Sequence, residues 1–77
     1  MPSKSYILFH TDSCHLCELA EQLIETSGVL YIKTDICDDE KLVEQYGIRI
    51  PVLKQVNSQS ELNWPFNENV LNKFLGA

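Results

Sequence analysis

The chain has few cysteines, few basic residues and no long apolar run, and each shortage excludes a class of protein. Its three cysteines leave one unpaired in any scheme, which argues against a small fold held together by structural disulfides. Six basic residues against eleven acidic ones give a net charge of −5, so we expect no nucleic-acid partner. No segment approaches the roughly 20 apolar residues of a membrane span, and residues 1–4 lead into the first predicted strand without a signal-peptide core. We therefore expect a cytoplasmic protein without a membrane partner.

The length and composition are those of one small globular domain. Seventy-seven residues with 44% hydrophobic content lie near the lower size at which an apolar core suffices alone. The sequence has no internal repeat, low-complexity tract or linker. We therefore expect a single domain over residues 1–77, and a monomer as the default at this size.

Apolar periodicity and turn residues predict the element order β-α-β-α-β-β-α. The predicted strands cover residues 5–9, 29–33, 52–56 and 61–64. The predicted helices cover residues 14–26 with a stop at Gly28, the segment between a cap at Asp38 and a stop at Gly47, and the segment after a cap at Asn67. The apolar stripe of the first helix consists of Leu16, Leu19, Ala20, Leu23 and Ile24. Both faces of the second strand are apolar, which predicts a strand covered on both sides.

Cys14 and Cys17 form a C-x-x-C motif where the first predicted strand gives way to the first helix. A helix N-terminus carries unpaired N–H groups and partial positive charge, which lower the pKa of a thiol below roughly 8.5. Cys14 receives most of this field, so we expect it to be the more exposed thiol and the nucleophile, with Cys17 resolving the mixed disulfide. The carboxylate of Asp12 opposes the thiolate, so only a moderate lowering of the Cys14 pKa is expected.

Both histidines flank the motif. A protonated His15 would stabilise the Cys14 thiolate, so we expect it to tune the pKa of that thiol. His10 and Glu18 are weaker candidates for proton exchange with Cys17, because a strand-end histidine and a first-turn carboxylate both have ordinary structural roles. Two cysteines and two histidines are also zinc-ligand types, but no second ligand pair follows on another element, so no metal is expected.

Cys37 follows the second predicted strand and has three acidic neighbours, Asp35, Asp38 and Asp39. Nearby carboxylates raise the pKa of a thiol, and free cysteine is commonly a small buried hydrophobe. We expect a buried structural residue, with a regulatory thiol as the alternative.

Taken together, the motifs resemble the thioredoxin-like superfamily, and specifically small bacterial glutaredoxin-like proteins with a C-x-L-C-E pattern. The matching segments are Cys14-His15-Leu16-Cys17-Glu18, Thr34-Asp35-Ile36, Tyr46-Gly47-Ile48-Arg49-Ile50-Pro51-Val52 and Trp64-Pro65-Phe66. The resemblance covers nearly the whole chain. It implies a thioredoxin-like, glutaredoxin-type α/β fold, which is a three-layer sandwich around a four-stranded mixed sheet.

The resemblance also implies a substrate-binding loop. Ile50-Pro51 would be a cis peptide beside the dithiol, the alternative being an ordinary trans-proline that starts a strand. Ile50 would offer its backbone N–H and C=O to the extended backbone of a peptide or of glutathione. Arg49 is a candidate cation for the substrate, the alternative being a solvated side chain.

The chain departs from the glutaredoxin pattern at the positions that bind glutathione. Thr11 stands where glutaredoxins usually carry a basic residue, and Trp64-Pro65-Phe66-Asn67 replaces a glycine-rich turn. Glutathione is therefore one of two candidate partners, beside a disulfide-containing protein.

The sequence thus predicts a thiol–disulfide oxidoreductase in which Cys14 attacks and Cys17 resolves. Ile50, Pro51 and Arg49 would hold the substrate. No bound cofactor is expected, because electrons would come from glutathione or a thiol reductase. The alternative is a redox-sensing or protein-binding module of the same fold with little turnover.

Overall fold

The computed structural model describes residues 5–76, so the prediction about residues 1–4 lies outside the described part of the chain. The strands are β1 (Tyr6–His10), β2 (Ile32–Asp35), β3 (Val52–Gln55) and β4 (Ser60–Asn63). The helices are α1 (His15–Ser27), α2 (Glu40–Tyr46) and α3 (Glu68–Phe74), and a short 3₁₀ turn (Ile36–Asp38) precedes α2. The predicted order β-α-β-α-β-β-α is confirmed.

The strands form one mixed sheet in the order β2-β1-β3-β4. β1 and β2 run parallel, with Phe9 opposite Thr34, and α1 makes the crossover between them. β3 is antiparallel to β1, with Val52 opposite Phe9, and β3 and β4 form the predicted hairpin. The four-stranded mixed sheet is therefore also confirmed.

Two apolar cores lie on opposite faces of the sheet, because successive strand residues point to opposite sides. Leu8 and Leu53 face α1 and α3, whereas Phe9 and Val52 face α2. The first core contains Tyr6, Leu8, Ala20, Ile24, Leu53, Phe66 and Leu71. The second core contains Phe9, Ile36, Tyr46 and Val52. This arrangement is the three-layer sandwich expected for the fold.

Capping residues explain where the helices begin and end. Gly28 closes α1 in the left-handed conformation, at φ 79°, as the sequence predicts. Asn67 caps α3 as predicted, its side chain accepting a hydrogen bond from the N–H of Val70 at 2.9 Å. The cap of α2 is Asp39, not the predicted Asp38, because Asp38 belongs to the 3₁₀ turn.

The prediction for the second strand is wrong in position and in burial. The sequence predicts this strand over residues 29–33, but it runs Ile32–Asp35. The prediction that both its faces are covered is wrong, because none of its four residues is buried. It is also an edge strand of the sheet. Val29 and Tyr31 pack against the first core, whereas Leu30 on the alternate side is 85% exposed. The apolar pattern does not distinguish an edge strand from a central one.

The apolar stripe of α1 is narrower than its sequence suggests. Ala20 and Ile24 are fully buried, but Leu16 and Leu19 at the N-terminal end of the stripe are exposed. Among residues 5–76, no helix combines the length and apolar character needed to cross a lipid bilayer.

Candidate functional site

Cys14 and Cys17 are joined as a disulfide across the first turn of α1, with their Cα atoms 5.2 Å apart. Cys14 is the N-cap of the helix, and its backbone carbonyl accepts a hydrogen bond from the N–H of Glu18 at 3.1 Å. Cys14 is half-buried, whereas Cys17 is only 1% exposed. This is the order of exposure that the sequence predicts.

The sulfur of Cys14 lies at a position that favours negative charge. It accepts a hydrogen bond from the backbone N–H of Cys17 at 3.2 Å, the bond that an N-cap side chain makes. The positive end of the α1 dipole acts on the same atom. Both effects stabilise a thiolate, because a thiolate accepts hydrogen bonds more strongly than a thiol. The geometry therefore favours negative charge at the Cys14 sulfur.

The turn that leads from β1 into the dithiol contains a residue that sequence reasoning missed. Ser13 has φ 61°, in the left-handed region that few residues other than glycine adopt. Such conformations occur at functional sites, where surrounding structure holds them. No glycine in this segment signals the left-handed conformation. His15, on the other side of Cys14, is the exposed first residue of α1.

Cys37 is exposed, and the prediction that it is buried is wrong. The 3₁₀ turn directs Ile36 into the second core and leaves Cys37 at the surface. The Cys37 sulfur lies 3.2 Å from the hydroxyl oxygen of Thr11, so the residue that replaces the basic side chain of glutaredoxins contacts the third thiol. The N–H of Cys37 donates to Asp35 at 2.9 Å and is the main cause of the lowered pKa of that carboxyl.

The loop of residues 47–51 connects α2 to β3 and has a defined backbone. The N–H groups of Arg49 and Ile50 both donate to the carbonyl of Tyr46, at 2.8 and 3.0 Å. The Ile50–Pro51 peptide is cis, and Pro51 is buried. Because Val52 pairs with Phe9, this loop lies at the same end of the sheet as the segment that leads to the dithiol.

The hydrogen bond from Ile50 changes one expectation about substrate binding. The resemblance implies that both the N–H and the C=O of Ile50 meet the substrate. The N–H donates to the carbonyl of Tyr46 instead, so it is already engaged within the chain.

Arg49 is an internal ion-pair partner rather than an unpaired cation. Its Nη2 atom donates to Oε1 of Glu61 at 2.5 Å and to Oδ1 of Asn63 at 3.0 Å. Its guanidinium also lies over the ring of Tyr46, 5.1 Å from the centroid. Glu61 was not predicted as part of the site, because it lies 12 residues away on the hairpin and carries no motif of its own.

Two further features complete this end of the molecule. Leu16 inside the C-x-x-C motif is exposed, and Ile48 in the loop is fully exposed, so apolar side chains face solvent here. A second cis peptide, Trp64–Pro65, precedes α3 and was not predicted. Within the described ranges, no three side chains of His, Cys, Asp or Glu are grouped so that they could hold a metal ion.

The chain is similar to known proteins over almost its whole length. A family model described as the glutaredoxin-like domain (DUF836) matches residues 5–76. The X-ray structure of the Northeast Structural Genomics target protein XcR50 from X. campestris is 33% identical, with a TM-score of 0.86, and the match covers 92% of this chain and 95% of that chain. The solution structure of the same target has a TM-score of 0.83 at 33% identity, and the match covers 92% of this chain and 91% of that chain.

A more distant structure shares the fold. The solution NMR structure of protein Ne2328 from Nitrosomonas europaea is 24% identical with a TM-score of 0.72, and the match covers 96% of this chain and 93% of that chain. No curated protein matches this chain.

Proposed function

The chain belongs to the glutaredoxin-like domain family, and from the geometry of its dithiol we propose that it is a thiol–disulfide oxidoreductase. One observation carries the proposal. The half-buried sulfur of Cys14 caps α1 and accepts a hydrogen bond from the N–H of Cys17, whose own sulfur is buried within disulfide reach. An accessible nucleophile and a protected resolving thiol are what dithiol exchange requires.

The reaction proceeds in two exchanges. The Cys14 thiolate attacks one sulfur of a substrate disulfide, so a Cys14–substrate bond forms while the substrate disulfide breaks, and the leaving thiolate takes a proton from water. The Cys17 thiolate then attacks the Cys14 sulfur, which closes the Cys14–Cys17 disulfide and releases the second substrate thiol. The substrate is reduced by two electrons, and the dithiol is oxidised by two. Two external thiols, from two glutathione molecules or from the dithiol of a reductase, reduce the Cys14–Cys17 disulfide and are themselves joined as a disulfide, so no bound cofactor takes part.

The loop of residues 47–51 would hold the substrate backbone. In this proposal Pro51 lies beside the dithiol, and the carbonyl of Ile50 accepts one hydrogen bond from an extended segment of substrate. A protonated His15 would further stabilise the Cys14 thiolate from the start of α1. His15 is exposed and directly follows the half-buried Cys14 in the chain, which supports this role.

The charges around the site favour a disulfide-containing protein over glutathione as the substrate. Glutathione carries two carboxylates, which need cations or backbone N–H groups. Arg49 is already paired with Glu61, and Thr11 is neutral and contacts Cys37. The exposed apolar side chains of Leu16 and Ile48 suit a polypeptide better than a small anion.

The test is a single-turnover assay with pre-reduced protein and a disulfide-linked peptide. Cys14→Ser should abolish reduction, Cys17→Ser should accumulate the mixed disulfide, and Cys37→Ser is the matched control that retains activity. Reduction that survives Cys14→Ser would disprove the proposal.

The alternative function, a redox-dependent binding module with little turnover, is favoured by the pairing of Arg49 with Glu61 and by the neutral side chain at Thr11. The two differ in steady-state turnover. A reversible Cys14–Cys17 disulfide with no turnover from either glutathione or a thioredoxin reductase would favour the binding module.

A further inference from the structure

The carboxylate of Glu61 accepts hydrogen bonds from two residues, Tyr46 at the end of α2 and Arg49 in the loop of residues 47–51. Its Oε2 atom accepts a hydrogen bond from the hydroxyl of Tyr46 at 2.7 Å, and its Oε1 atom accepts one from Arg49 at 2.5 Å. The side chains of Arg49 and Glu61 are only 34% and 22% exposed. Both oxygens of the carboxylate are therefore engaged by protein groups, in a partly shielded position where charge pairing is stronger than at an open surface.

These contacts connect three elements. Tyr46 ends α2, Arg49 lies in the loop, and Glu61 and Asn63 lie on β4. Residues two apart on a strand share one face, so both β4 side chains are placed to meet the same guanidinium. β3 separates β4 from β1 in the sheet. Arg49 therefore ties the loop to the far edge of the hairpin.

The loop is thus held twice. Its backbone is held by the Tyr46 carbonyl, which accepts the N–H groups of Arg49 and Ile50. Its one long polar side chain, that of Arg49, is held by β4 and lies over the ring of Tyr46. Tyr46 takes part in both sets of contacts and is itself fixed by Glu61. Loss of either charged partner would loosen the segment that ends at Pro51.

We propose that Arg49 and Glu61 form a clamp that positions the carbonyl of Ile50 for the substrate backbone, so that Arg49 is a positioning residue and not a ligand for a substrate anion. This inference rests on the proposed function, since it assigns the clamp to the same site. It assigns a role to Glu61, a residue outside every motif of the sequence.

The two roles of Arg49 predict opposite effects when Glu61 is removed. If Arg49 bound a substrate carboxylate, Glu61→Ala would free the guanidinium and improve binding. If the pair is a clamp, Glu61→Ala loosens the loop and weakens binding as Arg49→Ala does. Exchange of the two charges would keep the ion pair between the loop and β4, although not the hydrogen bond from Tyr46, and would place a carboxylate at position 49, which could not bind an anion.

The experiment measures kcat and KM for a disulfide-linked peptide with free carboxylates and for the same peptide with its carboxylates blocked. Arg49→Ala and Glu61→Ala should each raise KM roughly three- to tenfold, in the lower part of the range expected for losing one coupled pair. The kcat value and the reduction potential of the Cys14–Cys17 disulfide should not change. Arg49→Glu/Glu61→Arg should restore KM toward the wild-type value. Lys33→Ala is the matched control. It breaks the ion pair between Lys33 on β2 and Glu21 on α1 and should leave KM unchanged.

Amide hydrogen exchange provides a readout that does not depend on turnover. The N–H of Ile50 should exchange faster in both single variants and regain protection in the double variant. An inactive wild-type protein would disprove the proposed function, and the amide exchange would still decide whether the clamp exists. A lower KM in Glu61→Ala, no rescue in the double variant, or unchanged exchange at Ile50 would overturn the clamp.

Discussion

The ring of Tyr46 stacks on the ring of Phe9, with centroids 4.2 Å apart and planes 13° from parallel. Phe9 lies near the end of β1, the strand that leads to the dithiol, and Tyr46 ends α2 and holds the loop of residues 47–51 through its carbonyl. Both rings are buried in the second core. This contact therefore joins the two segments that make up the candidate site, and its energetics can be measured apart from catalysis.

Tyr46→Phe should destabilise the protein by about 1.5–3 kcal/mol, because it keeps the stacked ring and removes the hydrogen bond to the charged Glu61. Tyr46→Leu should lower the free energy of unfolding by a further 0.5–1.5 kcal/mol, roughly, because the aromatic pair with Phe9 is also lost. Urea denaturation of the three proteins at neutral pH measures both steps. A Leu variant as stable as the Phe variant would show that the stacking contributes nothing.

The acid sensitivity of the protein should depend on Glu61. The hydroxyl of Tyr46, followed by Arg49, holds the pKa of this carboxyl below its usual value of 4.5. A folded-state pKa lowered in this way adds stability above the unfolded pKa, and this stability is lost as the pH falls through the folded pKa.

Urea denaturation across a pH series from neutral into this acidic range measures the effect. The unfolding free energy of Glu61→Gln should fall less steeply with decreasing pH than that of wild type. Glu44→Gln, at an exposed position of α2, changes the net charge equally and is the control. Parallel pH profiles for wild type and Glu61→Gln would contradict this prediction.

The capping role of Cys14 can be separated from its chemistry in the fully reduced protein. A serine at position 14 can still accept the hydrogen bond from the N–H of Cys17, whereas an alanine cannot. Cys14→Ala should therefore be about 1 kcal/mol less stable than Cys14→Ser, with both inactive. Urea denaturation under reducing conditions makes the comparison. Equal stabilities would mean that the cap contributes little.

The exposure of Cys37 predicts a specific labelling pattern. In the oxidised protein, a maleimide should label Cys37 alone, because Cys14 and Cys17 are joined as a disulfide. After reduction, Cys14 should label next and the buried Cys17 last. Intact mass spectrometry over time counts the labels, and Cys37→Ser should remove the first one. Slow labelling of the oxidised protein would contradict the exposed position of Cys37.

Features that depend on neighbouring residues in the chain were predictable. The order of the elements follows from apolar periods of about two or 3.6 residues, which are properties of one segment at a time. Gly28 and Asn67 are recognisable as caps because each acts within a single turn of helix. The same locality made the relative burial of Cys14 and Cys17 predictable from their positions in the first turn.

Features that depend on which elements meet were not predictable. The edge position of β2 depends on how the sheet is ordered. The exposure of Cys37 depends on the 3₁₀ turn that directs Ile36 inward in its place. The pairing of Arg49 with Glu61 depends on the hairpin bringing β4 back beside the loop.

The sequence by itself determined the dithiol, its place at a helix N-terminus and the proline loop, because these are short segments whose chemistry is carried by adjacent residues. Only the tertiary structure decided what surrounds them. It pairs Arg49 with a carboxylate from another strand. The reason is physical: a hydrogen bond or ion pair depends on distances in space, and residues 12 positions apart in the chain come within 2.5 Å only after the sheet has formed.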